Sequence, residues 1–213
     1  GRNSPTTFNA ALHLAQFWDG RAAHVEEQAG GPILNPIEMA MASKEAVINR
    51  LSGVQEYQTL FAEAFPNEAI SYGNLQKAIG VYERKLLSPS RFDAFLKDDV
   101  QALTVNEKKG LQTFIQVGCV KCHSGTAIGG GTYEKFGVYT DYWTLTQSEK
   151  IDLGRFEVTK KEEDKYVFKV PSLRNVTKTF PYFHDGSVAK IQDAVRIMAQ
   201  TQLDKKLTKT EVK

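Results

Sequence analysis

The only two cysteines of the 213-residue chain are Cys119 and Cys122, and His123 follows at once, in the run Val117-Gly118-Cys119-Val120-Lys121-Cys122-His123-Ser124-Gly125. Two thiols one helical turn apart can add to the two vinyl groups of a haem, while the next imidazole swings under the iron as its proximal ligand. Three other chemistries use paired cysteines. A thioredoxin-like dithiol requires a strand before the first Cys, where this sequence reads as helix. Structural zinc needs four ligands, and His13, His24 and His184 supply no second ligand pair at finger-like spacing. A plain disulfide has no use for His123. A covalent c-type haem is therefore the expected cofactor. Such attachment belongs to exported cytochromes, so the expected compartment lies outside the bacterial cytosol.

A haem held by one histidine needs a sixth ligand or an open site. Met39, Met41 and Met198 are the only thioethers in the chain. Met198 falls on the apolar stripe of an expected helix, from which sulfur could approach the iron and raise its potential, although methionine on such a stripe is commonly packing. His184 is the rival ligand, and imidazole in place of thioether would give a lower potential.

Elements with helical periodicity must position these groups. Ser43 reads as an N-cap, followed by Val47, Leu51 and Val54, then Tyr57, Leu60, Phe61 and Phe65 up to Pro66, which predicts a helix pair broken near Gly53. Leu75, Ile79, Tyr82 and Leu86 predict a helix over 72–87 that ends at Ser88-Pro89. The tract Ser88-Pro89-Ser90 is the expected domain boundary, giving segments 1–88 and 89–213. Phe92–Leu96 predicts a short helix. Thr104 and Glu107 form a capping box opening a helix with Leu111, Phe114 and Ile115 facing inward, which delivers Cys119 to the haem edge. A last helix is expected to start at Asp185-Gly186-Ser187 and to carry Val188, Ile191, Val195 and Met198. The first 40 or so residues, broken by Pro5, Gly20, Gly30-Gly31-Pro32 and Asn35-Pro36, predict no long helix. The fold class is mostly α.

Composition narrows the partners. The 27 Lys+Arg against 25 Asp+Glu give a formal net charge of +2, without the basic surplus of a nucleic-acid binder, and the apolar runs are far too short for a membrane span. The charged run Lys160–Lys165 reads as a solvated turn. The start, Gly1-Arg2-Asn3-Ser4-Pro5, is neither an initiator nor a leader, so any export signal is expected to have been removed or left out.

Several separate motifs in order carry a resemblance through essentially the whole chain. Phe17-Trp18-Asp19-Gly20-Arg21-Ala22, Glu27-Gln28-Ala29-Gly30-Gly31-Pro32, Asn35-Pro36-Ile37-Glu38-Met39, the haem motif, Val170-Pro171-Ser172-Leu173-Arg174-Asn175 and Phe183-His184-Asp185-Gly186-Ser187 resemble the bacterial di-haem cytochrome c peroxidase family. The resemblance implies two cytochrome c-like helical domains, the first incomplete here: 1–88 on the peroxidatic side and 89–213 carrying the electron-transfer haem. That family has two Cys-x-x-Cys-His motifs and this chain has one, so the first is expected to lie before Gly1. The family places its methionine ligand where Met198 stands.

The resemblance also assigns roles. Glu38 would take a proton from bound peroxide and return it to the leaving oxygen, Gln28 would orient the peroxide, and Trp18 would stand between haem sites as an electron conduit. Since guanidinium matches carboxylate geometry, Arg174 would pair with a haem propionate or else be a surface or structural arginine. A calcium ion would be held by Asn3, Thr179 and Pro181, through one side-chain and two backbone oxygens with water. Read alone, Glu38 is a turn carboxylate, Gln28 a polar loop residue, Trp18 a core aromatic and Asn3 a turn residue. The implied activity is reduction of hydrogen peroxide to water, with electrons from a small cytochrome c or cupredoxin, by a periplasmic homodimer. The alternatives are a mono-haem electron-transfer protein, a relative that oxidises residues of a partner protein, and a haem sensor. The second of these is disfavoured by Met198, since its known example carries tyrosine as the corresponding ligand.

Overall fold

Residues 1–212 are described by a computed structural model that is mostly helical. The described helices are α1 (Val25–Leu34), α2 (Lys44–Ser52), α3 (Gln55–Ala64), α4 (Tyr72–Lys85), α5 (Arg91–Phe95), α6 (Val105–Val117), α7 (Tyr142–Thr146), α8 (Phe156–Thr159), α9 (Ile191–Leu203) and α10 (Lys209–Val212). One small sheet joins β1 (Tyr133–Lys135) antiparallel to β2 (Val167–Lys169), with Tyr133 opposite Lys169 and Lys135 opposite Val167. Among the described residues no helix is long and apolar enough to cross a membrane.

The expected helix starts are set by side-chain caps. Ser43, Ser71 and Thr104 accept the backbone N–H of Ala46, Asn74 and Glu107 at 3.1, 3.1 and 3.2 Å, which satisfies donors left over in a first turn. The Glu107 carboxylate returns to the Thr104 N–H at 2.8 Å, closing the expected box. The helix pair α2–α3 does separate at Gly53.

Three expectations need correction. The expected breaker Gly30-Gly31-Pro32 lies inside the ten-residue α1 and does not interrupt it. Gly30 is buried where α1 packs on α4, and a Cβ there would stand 2.4 Å from Gln76 Nε2 and 3.0 Å from the Tyr72 ring. Tyr72 donates its hydroxyl to the Gly30 carbonyl at 2.6 Å, and Gln76 donates to the Glu26 carbonyl at 3.0 Å. Close packing and these bonds outweigh the ~1 kcal/mol that glycine costs a helix. The last helix starts at Ile191 and not at Asp185, because Asp185 caps its own turn by accepting the Ser187 N–H at 3.1 Å, and Val188 bridges back to Tyr182. On α6, Ile115 is 53% exposed and no residue is fully buried, so its apolar stripe is not packed into protein as expected.

Two clusters of buried side chains form. Ile33, Val47 and Tyr72 join α1, α2 and α4, while Tyr182, Val188 and Ala194 pack the turn before α9 onto that helix. The N-terminal arm binds the later part of the chain. Asn3 N donates to the His184 carbonyl at 2.6 Å, Leu14 N to that of Gly130 at 2.8 Å, and Lys169 N to that of Trp18 at 2.8 Å. Arg2 bridges Asp19 and Asp152, fastening the arm to the segment before α8.

Candidate haem site and its surroundings

α6 ends at Gly118, whose φ of 107° lies in the left-handed region that a Cβ disfavours. The reversed chain winds at once into a tight turn over Cys119–Lys121. The N–H groups of Cys122 and His123 both return to the Cys119 carbonyl, at 3.3 and 3.0 Å, so one turn holds both thiols and the imidazole. Lys205 donates to the Val117 carbonyl at 2.8 Å and ties the stretch beyond α9 to this corner.

Both cysteines are free and half-buried, and burial pushes both thiols up. Burial holds His123 below its ordinary value, against the backbone of Ile128 and Pro171, which favours a proton; its Nδ1 is buried without a hydrogen bond of good geometry. A neutral imidazole beside two free thiols on one turn is the donor set that covalent haem c requires, and the residues fit that group.

Met198 is half-buried on α9, between the buried Ala194 and Thr201 and next to the buried Ala199. His184, the rival ligand, is 2% exposed within a box of aromatic rings. Phe168 stacks on it at 4.3 Å, with Tyr142 edge-on at 5.0 Å, Phe136 at 6.1 Å and Trp18 at 6.3 Å. That is the setting of a core histidine, although its Nε2 has no partner.

Trp18 is half-buried and donates its indole N–H to the Asn3 carbonyl at 2.8 Å. The Asn3 side chain donates to the Pro181 carbonyl at 2.8 Å and to that of Phe183 at 3.3 Å. The structure thus brings together Asn3 and Pro181 of the expected calcium set. Thr179, two residues before Pro181, is exposed and its hydroxyl donates to the Val176 carbonyl at 3.2 Å.

Gln28 is half-buried on α1. Glu38 is exposed in the turn that follows, its N–H donating to the Asn35 carbonyl at 3.0 Å. Met39 and Met41 fold that turn back on α1 by donating to the carbonyls of Pro32 and Ile33 at 3.1 and 3.0 Å. A helix, and not a tight turn, therefore separates Gln28 from Glu38. Arg174 is a bidentate partner of Asp93 at 2.6 and 2.9 Å, and its Nε donates to the Thr126 carbonyl at 2.6 Å. Its neighbourhood holds Asp93 well below the usual carboxylate range.

Sequence reasoning did not single out Lys169, which is 5% exposed with its Nζ 3.0 Å from His13 Nδ1. The available signal was a lysine inside the apolar strand run Tyr166-Val167-Phe168-Lys169-Val170, where a charge is costly.

Comparison with known proteins agrees with the resemblance carried by the sequence motifs. The family model described as di-haem cytochrome c peroxidase matches residues 1–101. The chain is 42% identical to a cytochrome c551 peroxidase of Nitrosomonas europaea, over 99% of this chain and 62% of that protein. It is 45% identical to a cytochrome c551 peroxidase of Pseudomonas aeruginosa, over 99% of this chain and 61% of that protein. Against the Escherichia coli cytochrome c peroxidase Ccp, identity is 43% over 99% of this chain and 45% of that protein. The chain thus spans less than two thirds of these relatives. Among solved structures, a MauG-like protein associated with microbial copper homeostasis superposes with a TM-score of 0.78 at 29% identity, covering 91% of this chain and 61% of that one.

Proposed function

We infer that this chain is part of a di-haem cytochrome c peroxidase and serves the reduction of hydrogen peroxide to water with electrons from a small cytochrome c or cupredoxin. The observation that carries the reading is the single turn holding two free thiols and a neutral imidazole, in a sequence 42–45% identical to cytochrome c peroxidases. A haem c bound there supplies an iron that passes single electrons between ferric and ferrous states.

Cys119 and Cys122 would hold the haem covalently, and His123 and Met198 would be the residues offering nitrogen and thioether sulfur to its iron. Arg174, braced by Asp93, spends three of its five N–H groups on Asp93 and Thr126 and keeps the others for a haem propionate. Trp18, joined to the arm through Asn3 and to β2 through Lys169, is the conduit toward the peroxide-reacting haem that the family carries in addition. At that second site Glu38, exposed in the turn after α1, would shuttle the proton, and Gln28, half-buried on α1, would orient the peroxide. Asn3 and Pro181 are already paired at 2.8 Å. With the Asn3 amide turned over, its oxygen, the Pro181 and Thr179 carbonyls and water would be the oxygen ligands offered to a calcium ion. The separate buried clusters on either side of Ser88-Pro89-Ser90 support division into 1–88 and 89–213. The periplasm is the compartment, and a homodimer the assembly.

The test counts haem in the holoprotein by pyridine haemochrome and follows peroxide consumption with a reduced small cytochrome as donor. Covalent haem with peroxide-dependent oxidation of the donor is expected. Two haems without peroxide consumption would overturn the reading, and one haem with donor exchange alone would favour a mono-haem electron carrier.

A further inference from the structure

Lys169 and His13 lie together beneath the loop that follows the haem motif. Lys169 closes β2, and its Nζ sits 3.0 Å from His13 Nδ1. Among the described residues no carboxylate forms an ion pair with Lys169, and burial alone pushes it down, to about 8, so it keeps its charge at neutral pH. Burial and that neighbouring ammonium push His13 down to about 4, so its ring is neutral. An ammonium has only hydrogens to offer, so it donates to Nδ1 and the His13 proton sits on Nε2. That Nε2 is buried and has no partner. The pair therefore carries one net positive charge and an unpartnered buried donor, with its one acceptor nitrogen already occupied, an arrangement that folded proteins rarely leave without a partner.

The surroundings say which acceptor is close. Gly130 packs directly on His13, where a Cβ would meet the ring at 2.4 Å, and its N–H donates to the Val170 carbonyl at 2.7 Å. The loop carrying Gly130 descends straight from His123, and Pro171, two residues past Lys169, borders the His123 ring. The main chain of Lys169 also holds Trp18. The pair thus adjoins the haem segment on one side and the conduit residue on the other.

We propose that Lys169 and His13 form a buried anchor for a propionate carboxylate of the haem attached at Cys119 and Cys122. The anchor rests on the haem reading above. It neutralises a carboxylate that would otherwise be desolvated, and its positive charge favours the ferrous haem.

The experiment uses holoprotein carrying haem labelled with carbon-13 at the propionate carboxyls. Redox-difference infrared spectra and midpoint potentials are recorded for the wild type, Lys169→Met, Lys169→Arg and His13→Phe. In Lys169→Met the labelled carboxylate bands should shift and the potential should fall, with both returning toward wild type in Lys169→Arg. His13→Phe should move the same bands less. Unmoved propionate bands in Lys169→Met overturn the proposal; if that variant does not fold, unmoved bands in His13→Phe overturn it. Haem counting on the wild type separates the two readings. Absence of covalent haem removes the family role, while attached haem with unmoved bands removes the anchor alone.

Discussion

Replacing Arg174 with Met should cost the folded protein about 2 kcal/mol, and most of that cost should depend on Asp93. The guanidinium makes two bonds to Asp93 and one to the Thr126 carbonyl, with 9% of the Arg174 side chain and 25% of the Asp93 side chain exposed. An exposed ion pair is worth about 0–1 kcal/mol, and removing one partner of a fully buried pair costs about 3–5 kcal/mol. A pair this sheltered on one side and partly wetted on the other falls between, at about 2 kcal/mol. For a chain of this length that is a fall in Tm of roughly 4–8 °C. Met keeps much of the apolar stem, so the loss reports polar contacts and not a cavity.

The pH dependence supplies a second handle on the same pair. Arg174 leads the influences that depress Asp93 in the folded state, so the pair's stabilisation is present in full above the ordinary carboxylate pKa and fades as pH falls through the lower folded value. The gap in Tm between wild type and Arg174→Met should therefore hold steady from pH 7 to about pH 5 and narrow below about pH 4. Thermal unfolding followed by circular dichroism, with Asp93→Asn and the double variant completing a cycle, gives the coupling directly. A change in Tm under 1 °C, or additive single variants, would refute the reasoning, because the bidentate geometry would then contribute nothing.

Three further outcomes are expected. Met198→His should lower the haem potential, since imidazole replaces a thioether that favours ferrous iron, and spectroelectrochemistry together with loss of the sulfur-to-iron absorption band would record it. Removing calcium with a chelator should lower Tm and slow electron transfer between the haems, if the Asn3–Pro181 pairing holds an ion; elemental analysis without calcium and an unmoved Tm would reject it. Glu38→Gln should leave haem content and potentials intact while cutting peroxide turnover by about 100-fold, with Gln28→Ala costing less, because one removes the proton acceptor and the other only orientation. Stopped-flow mixing of half-reduced enzyme with peroxide measures both, and full-speed reaction of Glu38→Gln returns it to a turn carboxylate.

The legible part of the sequence is the part whose cause is local. Ser43 and Thr104 satisfy the first-turn donors of their own helices, so α2 and α6 could be placed from cap and periodicity, and α4, whose cap Ser71 did not stand out, from periodicity alone. The haem motif is local in the same sense, since one turn beyond Gly118 sets both thiols and His123. α1 was hidden because its reason is elsewhere in the chain. Its two glycines read as breakers until Tyr72 and Gln76 of α4 are laid against Gly30, at which point the missing side chain is what lets the helices meet. The apolar stripe of α6 misled in the opposite direction. Its periodicity reports an apolar face correctly but not what covers that face, and Ile115 is left open beside the turn where a haem would attach.

Lys169 marks where both kinds of cause meet. Its place in an apolar strand run is a local conflict, of the sort that tends to mark a site, because nothing in strand propensity or core packing favours an ammonium there. Its resolution needs His13 from the N-terminal arm, the Gly130 loop from the haem segment and Trp18 from between them, three pieces that only folding brings together. The N-terminal arm therefore does more than extend the first segment. Through Asn3, Leu14 and Trp18 it hydrogen-bonds to residues of the segment that carries the haem motif, and through Arg2 it is ion-paired to Asp152. The same arm is tied to the end of α4, where Asn9 N donates to the Leu86 carbonyl at 2.8 Å and its side chain exchanges hydrogen bonds with Ser88 at 2.7 and 3.0 Å, so a perturbation of residues 1–22 should be felt both at the haem-motif segment and in the α1–α4 cluster.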